Sequence, residues 1–485
     1  MAVIIIVLTY FALLFAISRW TGRRATNETF YRADRQSPWY MVAFGMVGAS
    51  ISGITFVSVP GMVTSIGMTY LQTCMGFIVG YVVIAFVLLP LYYRLNLTTI
   101  YGYLGQRIGR RAYKTGASFF LLSKMTGAAV RFYVVCWILM TCGLGATDGD
   151  AGNDNWTFML VVIAMTALIW LYTRQGGIKT LVWTDALQTL CLFGALLLII
   201  YKVIGELGMT AGEAVAAIRD SELSRVFVMD DWVSKQYFWK QFLSGVFIAI
   251  VMTGLDQDMM QKNLTCRSLR DAQKDMCTYG CAFLPANLLF LSLGVLLVLW
   301  FQQQGGAVPA AGDELLPQFV SHFSFPISYV FMLGMVAAAF SSADSALTAL
   351  TTSYCVDICG RADDERLRRR VHIVMAALFV VFILLFRVIN STSVIDAIYI
   401  LCSYTYGPLL GLFAFGLLTK RQTKDHAVPY ICVASPVICF LLDMVVGQQT
   451  GYRFGYELLM LNGALTFIGL LACRNIPSAA LPSPS

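Results

Sequence analysis

Runs of about twenty mostly apolar residues recur along almost the whole chain, and they constrain the fold more than any other feature. A helix needs about 20 such residues to cross the hydrocarbon core of a membrane. The mean hydropathy of +0.71, with 58% hydrophobic and 13% charged residues, lies far from that of soluble domains. We therefore predict an all-α polytopic membrane protein whose 485 residues form one membrane domain. The thirteen predicted transmembrane helices are at residues 2–18, 41–66, 70–93, 115–144, 156–173, 179–203, 238–261, 274–301, 324–356, 370–388, 394–418, 427–447 and 455–473.

The loops between these runs alternate in charge. Basic residues cluster after the odd-numbered runs; Lys262, Arg267 and Arg270, for example, are assigned to the loop after the seventh. Loops after even-numbered runs, such as DGDAGNDN, are acidic or neutral. Because cytoplasmic loops carry the excess of Lys and Arg, the N-terminus is predicted outside and the C-terminus in the cytoplasm. The net charge of +7 is thus explained without a nucleic-acid partner. Short external loops indicate a bacterial inner membrane, and we expect a functional monomer.

Metal and redox chemistry have little support in the sequence. The chain has three histidines, His322, His372 and His426, and none is paired at a helical spacing. The cysteines are scattered singly through apolar runs without a CxxC pair, so we interpret them as small core residues. Haem, zinc and disulfide frameworks are therefore not expected, and neither is an enzyme.

Two of the predicted helices contain residues that disfavour a continuous helix. The second run, MVAFGMVGASISGITFVSVPGMV, places Gly48, Ser50, Ser52 and Gly53 at mid-membrane depth. Glycine costs about 1 kcal/mol in a helix interior, and serine competes for backbone hydrogen bonds. The pattern predicts either a break that lines a cavity or tight helix packing on small residues. Gly254 in the seventh run predicts a second break, and paired breaks in two halves indicate a transporter site.

Several polar side chains lie inside apolar runs. Asp185 is buried in the sixth run, where a carboxylate costs about 2.5–3.5 kcal/mol on insertion scales, so it is a functional-site hypothesis. The ninth run contains AAAFSSADSALTALTTS, in which Ser341, Ser342 and Ser345 share one helix face. These hard oxygen ligands suit Na⁺ or protons rather than soft metals. Asp256 and Asp258, near the inner end of the seventh run, are expected to pair with basic loop residues.

Five motifs occur in an order that resembles the sodium/solute symporter family: FYRADRQSPWY, SGITFVSVPG, GGIKTLVWTDALQ, LDQDMMQ and AAAFSSADSALTALTTSYCVDI. The resemblance covers about residues 30–421. It implies the LeuT-like fold of two inverted five-helix repeats, with residues 41–203 as the first repeat and 238–418 as the second. One extra helix at 2–18 precedes them and two extra helices at 427–473 follow.

The resemblance also implies where Na⁺, the coupling ion, binds. In a first sodium site, the carbonyls of Gly48, Ile51 and Ala338 join the hydroxyls of Ser341 and Ser342. In members with a second sodium, the carboxylate of Asp185 and the hydroxyl of Ser345 contribute. This chain departs from the sialic acid transporters at Asp344, where they have serine. That carboxylate holds the second sodium, carries a proton, or has the structural role of pairing with a nearby polar group.

The substrate positions implied by the resemblance are Ser50, Ser52, Thr55, Tyr70 and Cys74. The position at which sialic acid transporters clamp a carboxylate with arginine is Gly127 here, but Arg131 lies one turn further on and is the predicted substitute. A small polar organic solute is expected, with a carboxylated sugar such as sialic acid as the specific candidate. The alternatives are proton-coupled symport on the same fold, a solute sensor or a channel. A sensor would be expected to carry an appended signalling domain, and only NIPSAALPSPS follows Arg474 here.

Overall fold

In the computed structural model, the structure describes residues 2–23, 25–138, 140, 155–323, 327–389, 394–450, 452 and 454–473. Within these ranges the protein is helical, with one isolated bridge between Ser37 and Cys266 and no β-strand. The α-helices span Ala2–Thr21, Asn27–Arg32, Trp39–Ser50, Gly53–Ile66, Tyr70–Val83, Leu89–Arg94, Gly102–Arg107, Arg110–Ile138, Asn155–Thr173, Ile178–Glu206, Ala211–Asp220, Phe238–Ala249, Gln257–Asn263, Leu269–Gln303, Leu315–Ser321, Ile327–Ser353, Glu365–Ile389, Val394–Leu418, Val428–Thr450 and Leu458–Ala472.

Each of the thirteen predicted runs overlaps helix in the described ranges. Residues 139 and 141–144 of the fourth run and residues 324–326 of the ninth lie outside those ranges, as does the loop segment 145–154. Among the described residues, eight helices are individually long and apolar enough to cross a membrane, or up to ten if each of two bent pairs is one span. Ser403–Leu418 and Leu458–Ala472 are shorter apolar helices. An all-helical polytopic architecture is confirmed, whereas the count of thirteen spans and the layout of the extra helices stay predictions.

Both predicted breaks are present. Trp39–Ser50 and Gly53–Ile66, together the first broken helix, meet at an angle of 61°. Ile51 leaves the helical region with φ −83° and ψ 84°, and Ser52 is extended. Phe238–Gly254 and Gln257–Asn263, together the second broken helix, bend by 70°. Because the last carbonyls and first N–H groups of a helix lack intrahelical partners, each break exposes backbone polar groups at its ends.

The Asp185 helix, Ile178–Glu206, packs against both the first broken helix and the serine helix, Ile327–Ser353. Glycines permit the close approach: a Cβ on Gly48 would lie 1.9 Å from the Thr189 hydroxyl oxygen, and one on Gly45 would lie 3.0 Å from the Cβ of Asp185. The serine helix runs through the middle of this packing, and every residue from Val336 to Ser353 is buried. Its hydroxyls therefore face protein rather than lipid, which explains why an apolar chain tolerates them there.

Candidate functional site

The first predicted cation site lies where the serine helix meets the first break. The Ser342 hydroxyl contacts the carbonyl oxygens of Ala49, at 3.3 Å, and Ala338, at 3.4 Å. Gly48 and Ile51 flank Ala49 at the break, and Ile51 is fully buried. The structure thus brings Ala338 and Ser342 to the expected place and adds the Ala49 carbonyl, which the sequence analysis missed.

The Ser341 hydroxyl, which the resemblance assigned to the first sodium site, is directed instead to a second set of oxygens. It donates to Oδ1 of Asp185 over 2.8 Å. On the same serine helix, Oδ2 of Asp344 accepts a hydrogen bond of 2.5 Å from the Tyr172 hydroxyl. The other Asp344 oxygen and the hydroxyls of Ser345 and Thr348 have no hydrogen-bond partner among the described residues.

Unsatisfied buried oxygens need a physical explanation, because most buried polar atoms in proteins are hydrogen-bonded. Asp185 and Asp344 are both fully buried and close enough to repel each other electrostatically. Carboxylate and hydroxyl oxygens are the donors that hard cations prefer. Asp185, Asp344 and Ser345 thus offer the oxygen types that Na⁺ prefers, and their role as a second sodium site stays a prediction.

Lys262 is the main correction to the sequence analysis, which assigned it to a loop. It lies in the half-helix Gln257–Asn263, is 2% exposed, and places Nζ 2.8 Å from Oδ2 of Asp185. The error arose because Lys262 is at the boundary between an apolar run and a basic loop, where hydropathy cannot separate the two. The Lys262 ammonium changes the net charge of the site, because it supplies one of the two positive charges that would neutralise the carboxylates of Asp185 and Asp344.

Between the two breaks lies a cavity of about 130 Å³. Of the predicted substrate residues, Ser50, Ser52, Thr55, Tyr70 and Arg131 line it. Ser342 and Ala49 line it too, so the cavity adjoins the first cation site. A further tyrosine pair, absent from the sequence predictions, contributes to its wall: the Ser50 hydroxyl is 2.6 Å from the Tyr279 hydroxyl, which is 2.9 Å from that of Tyr81.

Cys74, one of the substrate positions implied by the family resemblance, is not among the residues that line the cavity. It is 1% exposed, and the cavity is lined instead by the aromatic neighbours Tyr70 and Phe77 on the same helix. Their ring centroids are 6.5 Å apart. The physical reason is side-chain length, since the rings extend from the helix much further than a thiol does.

A buried ion cluster forms one side of the cavity. Nζ of Lys124 lies 2.6 Å from Asp258 and 3.3 Å from Asp256, and the Tyr406 hydroxyl also donates to Asp256. The two aspartates were expected to pair with loop residues, so this expectation was wrong. Lys124 is on the membrane helix Arg110–Ile138. A lysine in the middle of an apolar run was the sequence signal that could have identified it.

Arg131 stands two turns further along the Lys124 helix, Arg110–Ile138. It is partly buried and lines the cavity, as does Gly127. Unlike Lys124, it has neither an ion pair nor a hydrogen bond to any described residue. Its charge is therefore available to a bound molecule.

Two broken helices, buried carboxylates beside hydroxyls and a polar cavity between the breaks define an ion-coupled secondary transporter. The sequence profile described as the sodium:solute symporter family matches residues 30–429. The chain belongs to this family. It is a multi-pass membrane transporter, and it couples Na⁺ to the symport of a small organic solute.

Three relatives are distant in sequence, and each matches most of this chain. The sodium/sialic acid symporter SiaT of Proteus mirabilis is 22% identical, covering 85% of this chain and 83% of its own. The sodium/sialic acid symporter NanT of Aliivibrio fischeri is 23% identical, covering 86% and 83%. The sodium-dependent multivitamin transporter of Oryctolagus cuniculus is 25% identical, covering 86% of this chain and 65% of its own.

Two solved structures share the fold. A Na⁺-coupled sialic acid symporter in a substrate-bound, outward-open state has a TM-score of 0.79 at 18% identity, with 97% of each chain covered. A transporter of the nucleobase-cation-symport-1 family has a TM-score of 0.57 at 14% identity, with 92% of this chain and 94% of the other covered. At these identities the likeness concerns the fold alone.

Proposed function

We propose that this protein takes up a carboxylate-bearing solute, with sialic acid as the first candidate, by alternating access driven by inward Na⁺ flux. The single observation that carries the proposal is Arg131, a cation that lines the cavity and has no partner among the described residues. The hydroxyls of Ser52 and Thr55 line the same cavity. Together they offer a charge for a carboxylate and hydrogen bonds for a polar body.

Two sodium sites are proposed beside this cavity. The first uses the carbonyls at the first break and at Ala338, with the Ser342 hydroxyl. The second uses Asp185, Ser341, Asp344 and Ser345. Two observations support the second site. The two fully buried carboxylates carry more negative charge than the buried ammonium of Lys262 can neutralise, and the oxygens described above have no hydrogen-bond partner among the described residues.

The proposed architecture is the LeuT-like pair of inverted repeats, 41–203 and 238–418, flanked by the extra helices 2–18 and 427–473. The two bent helices stand at the start of the two groups of helices, which supports this division. The charge alternation of the loops supports an external N-terminus and a cytoplasmic C-terminus, and the sialic acid relatives support a bacterial inner membrane.

Sodium coupling is energetically sufficient for such uptake. One charge crossing 100 mV contributes about 2.3 kcal/mol, and a tenfold Na⁺ gradient adds about 1.4 kcal/mol. One ion can thus sustain about a 500-fold accumulation of a neutral solute. A second sodium offsets the negative charge that an anionic solute carries into the cell.

The test is uptake of radiolabelled sialic acid into proteoliposomes under an inward Na⁺ gradient, with K⁺ as the control. Arg131→Gln is expected to raise the KM at least tenfold, because a hydrogen bond to a charged group contributes about 1.5–3 kcal/mol. Arg219→Gln makes the same change on an exposed helix and serves as the matched control. Uptake unchanged in Arg131→Gln would place the carboxylate elsewhere. Uptake that responds to a pH gradient but not to Na⁺ would favour proton coupling.

If sialic acid is not transported, the same liposomes are tested with monocarboxylates and carboxylated vitamins. Saturable Na⁺-driven uptake of one of these, impaired by Arg131→Gln, would keep the substrate class and change the solute. Na⁺ binding without uptake of any carboxylate would refute the substrate class while leaving the sodium sites in place.

A further inference from the structure

The ions of the cavity and those of the second cation site form one alternating series. In order they are Lys124, Asp258, Lys262 and Asp185, so cations and anions alternate from the cavity wall to the proposed sodium site. Lys124 meets Asp258 over 2.6 Å, and Lys262 meets Asp185 over 2.8 Å. All four side chains are at most about one-tenth exposed. Water therefore screens the interactions between them only weakly.

The connection between the two ion pairs is a single helical turn. Asp258 and Lys262 are separated by four residues on the half-helix Gln257–Asn263, a spacing that places their side chains on one face. They attract each other electrostatically. Oδ1 of Asp258 is buried without a hydrogen-bond partner among the described residues, and so is the Lys262 ammonium apart from its ion pair with Asp185. Lys262 thus has a second, vacant acceptor within its own turn.

We propose that Lys262 is a coupling residue that divides its charge between Asp185 and Asp258, and so transmits sodium binding to the cavity. A sodium ion at Asp185 competes with the ammonium and shifts it towards Oδ1 of Asp258. Asp258 then holds Lys124 less strongly, and Lys124 presents more positive charge to the cavity. This step rests on the sodium site and carboxylate substrate proposed above, and Lys262 stays charged throughout.

The linkage is reciprocal, as binding equilibria require. A solute carboxylate that attracts Lys124 frees Asp258 to hold Lys262, and Asp185 becomes more available to Na⁺. Anionic solute and sodium therefore strengthen each other's binding without touching. In a symporter this sign of coupling is necessary, because each ligand alone should bind less well than the two together.

The inference is tested with Na⁺ alone, so it does not depend on knowing the solute. The half-saturating Na⁺ concentration is measured from the thermal midpoint of the purified protein, with KCl keeping the ionic strength constant. Asp258→Asn is expected to raise this concentration about tenfold, within the usual range of coupling energies, because Lys262 loses its alternative partner. Lys124→Met is expected to lower it, because Asp258 then attracts Lys262 more strongly.

Asp256→Asn is the matched control, since Asp256 also lines the cavity and contacts Lys124 but has no described interaction with Lys262. Because its loss leaves Lys124 more strongly on Asp258, it should raise the Na⁺ concentration slightly, by less than about twofold and so well below the effect of Asp258→Asn. In a Lys262→Met background, the effects of Lys124→Met and Asp258→Asn should both disappear. Repeating the series with Ser342→Ala, which removes a hydroxyl from the first site, assigns the shifts to the second.

Two results would overturn the inference. Effects that persist in the Lys262→Met background would show a direct long-range field instead of transmission through Lys262. Equal effects of Asp258→Asn and Asp256→Asn would also show a direct long-range field. This comparison does not use the Lys262→Met protein, so it tests the inference even if that variant does not fold. A wild-type protein with no Na⁺ response would instead refute the proposed sodium sites, so the two failures are distinguishable.

Discussion

Replacing Lys262 by methionine should destabilise the protein strongly in the absence of sodium. The Nζ to Oδ2 distance of 2.8 Å corresponds to an attraction of about 6 kcal/mol at an effective dielectric constant of about 20. Both side chains are 2% exposed or less, so water screens this attraction only weakly. Removing one partner of a buried pair usually costs about 3–5 kcal/mol, because the other charge stays buried without compensation. Lys262→Met leaves the carboxylate of Asp185 in that position.

Sodium should recover much of this loss, because Na⁺ supplies the missing positive charge. At a concentration a hundredfold above its dissociation constant, a ligand stabilises the folded state by about 2.7 kcal/mol. Thermal midpoints of wild type and Lys262→Met are therefore compared in NaCl and in KCl. We expect a large deficit in KCl, a smaller deficit in NaCl, and a steeper Na⁺ response in the variant than in wild type.

The double variant Asp185→Asn/Lys262→Met is the control, because it removes both charges together. It should be more stable in KCl than Lys262→Met alone and insensitive to sodium at this site. A Lys262→Met protein as stable as wild type in KCl would refute the reasoning, since it would mean that the buried pair contributes nothing. A deficit of the same size in both salts would separate Lys262 from the sodium site.

Three further predictions concern the same region. Asp344→Asn should weaken Na⁺ binding at least tenfold, because an interaction with a charged group contributes about 1.5–3 kcal/mol. The Na⁺ dependence of the thermal midpoint measures this, and an unchanged dependence would remove Asp344 from the site. Gly48→Ala should lower the free energy of unfolding by about 1–3 kcal/mol, because the helices cannot close around the added methyl group. Gly194→Ala, whose Cβ would meet nothing within 4 Å, should leave it unchanged. Equal thermal midpoints of the two variants would contradict the packing. A small water-soluble thiol reagent should label Thr55→Cys but not Cys74, as measured by peptide mass mapping. Rapid labelling of Cys74 would show that its side chain lines the cavity after all.

The sequence determined the features that depend on the chain's local chemistry. Apolar run length alone predicts helices wherever the structure has long ones, because the backbone must satisfy its own hydrogen bonds in lipid. Gly48, Ser52 and Gly53 predict the first break because they are poor helix formers. Asp185 is identified as a candidate functional residue because burying a carboxylate in a membrane helix is energetically costly.

Only the tertiary structure decided which charges meet. Asp185 could have paired with any cation of the basic clusters, and its actual partner, Lys262, is a residue that hydropathy places in a loop. The sequence pattern also failed to predict which side chains reach the cavity. Lys124 lines the cavity although it lies in a run that was treated as apolar, whereas Cys74 shares a helix with cavity residues but its side chain is too short to reach it. Burial and pairing depend on how separate helices pack, and helix packing brings together residues that the one-dimensional pattern keeps far apart.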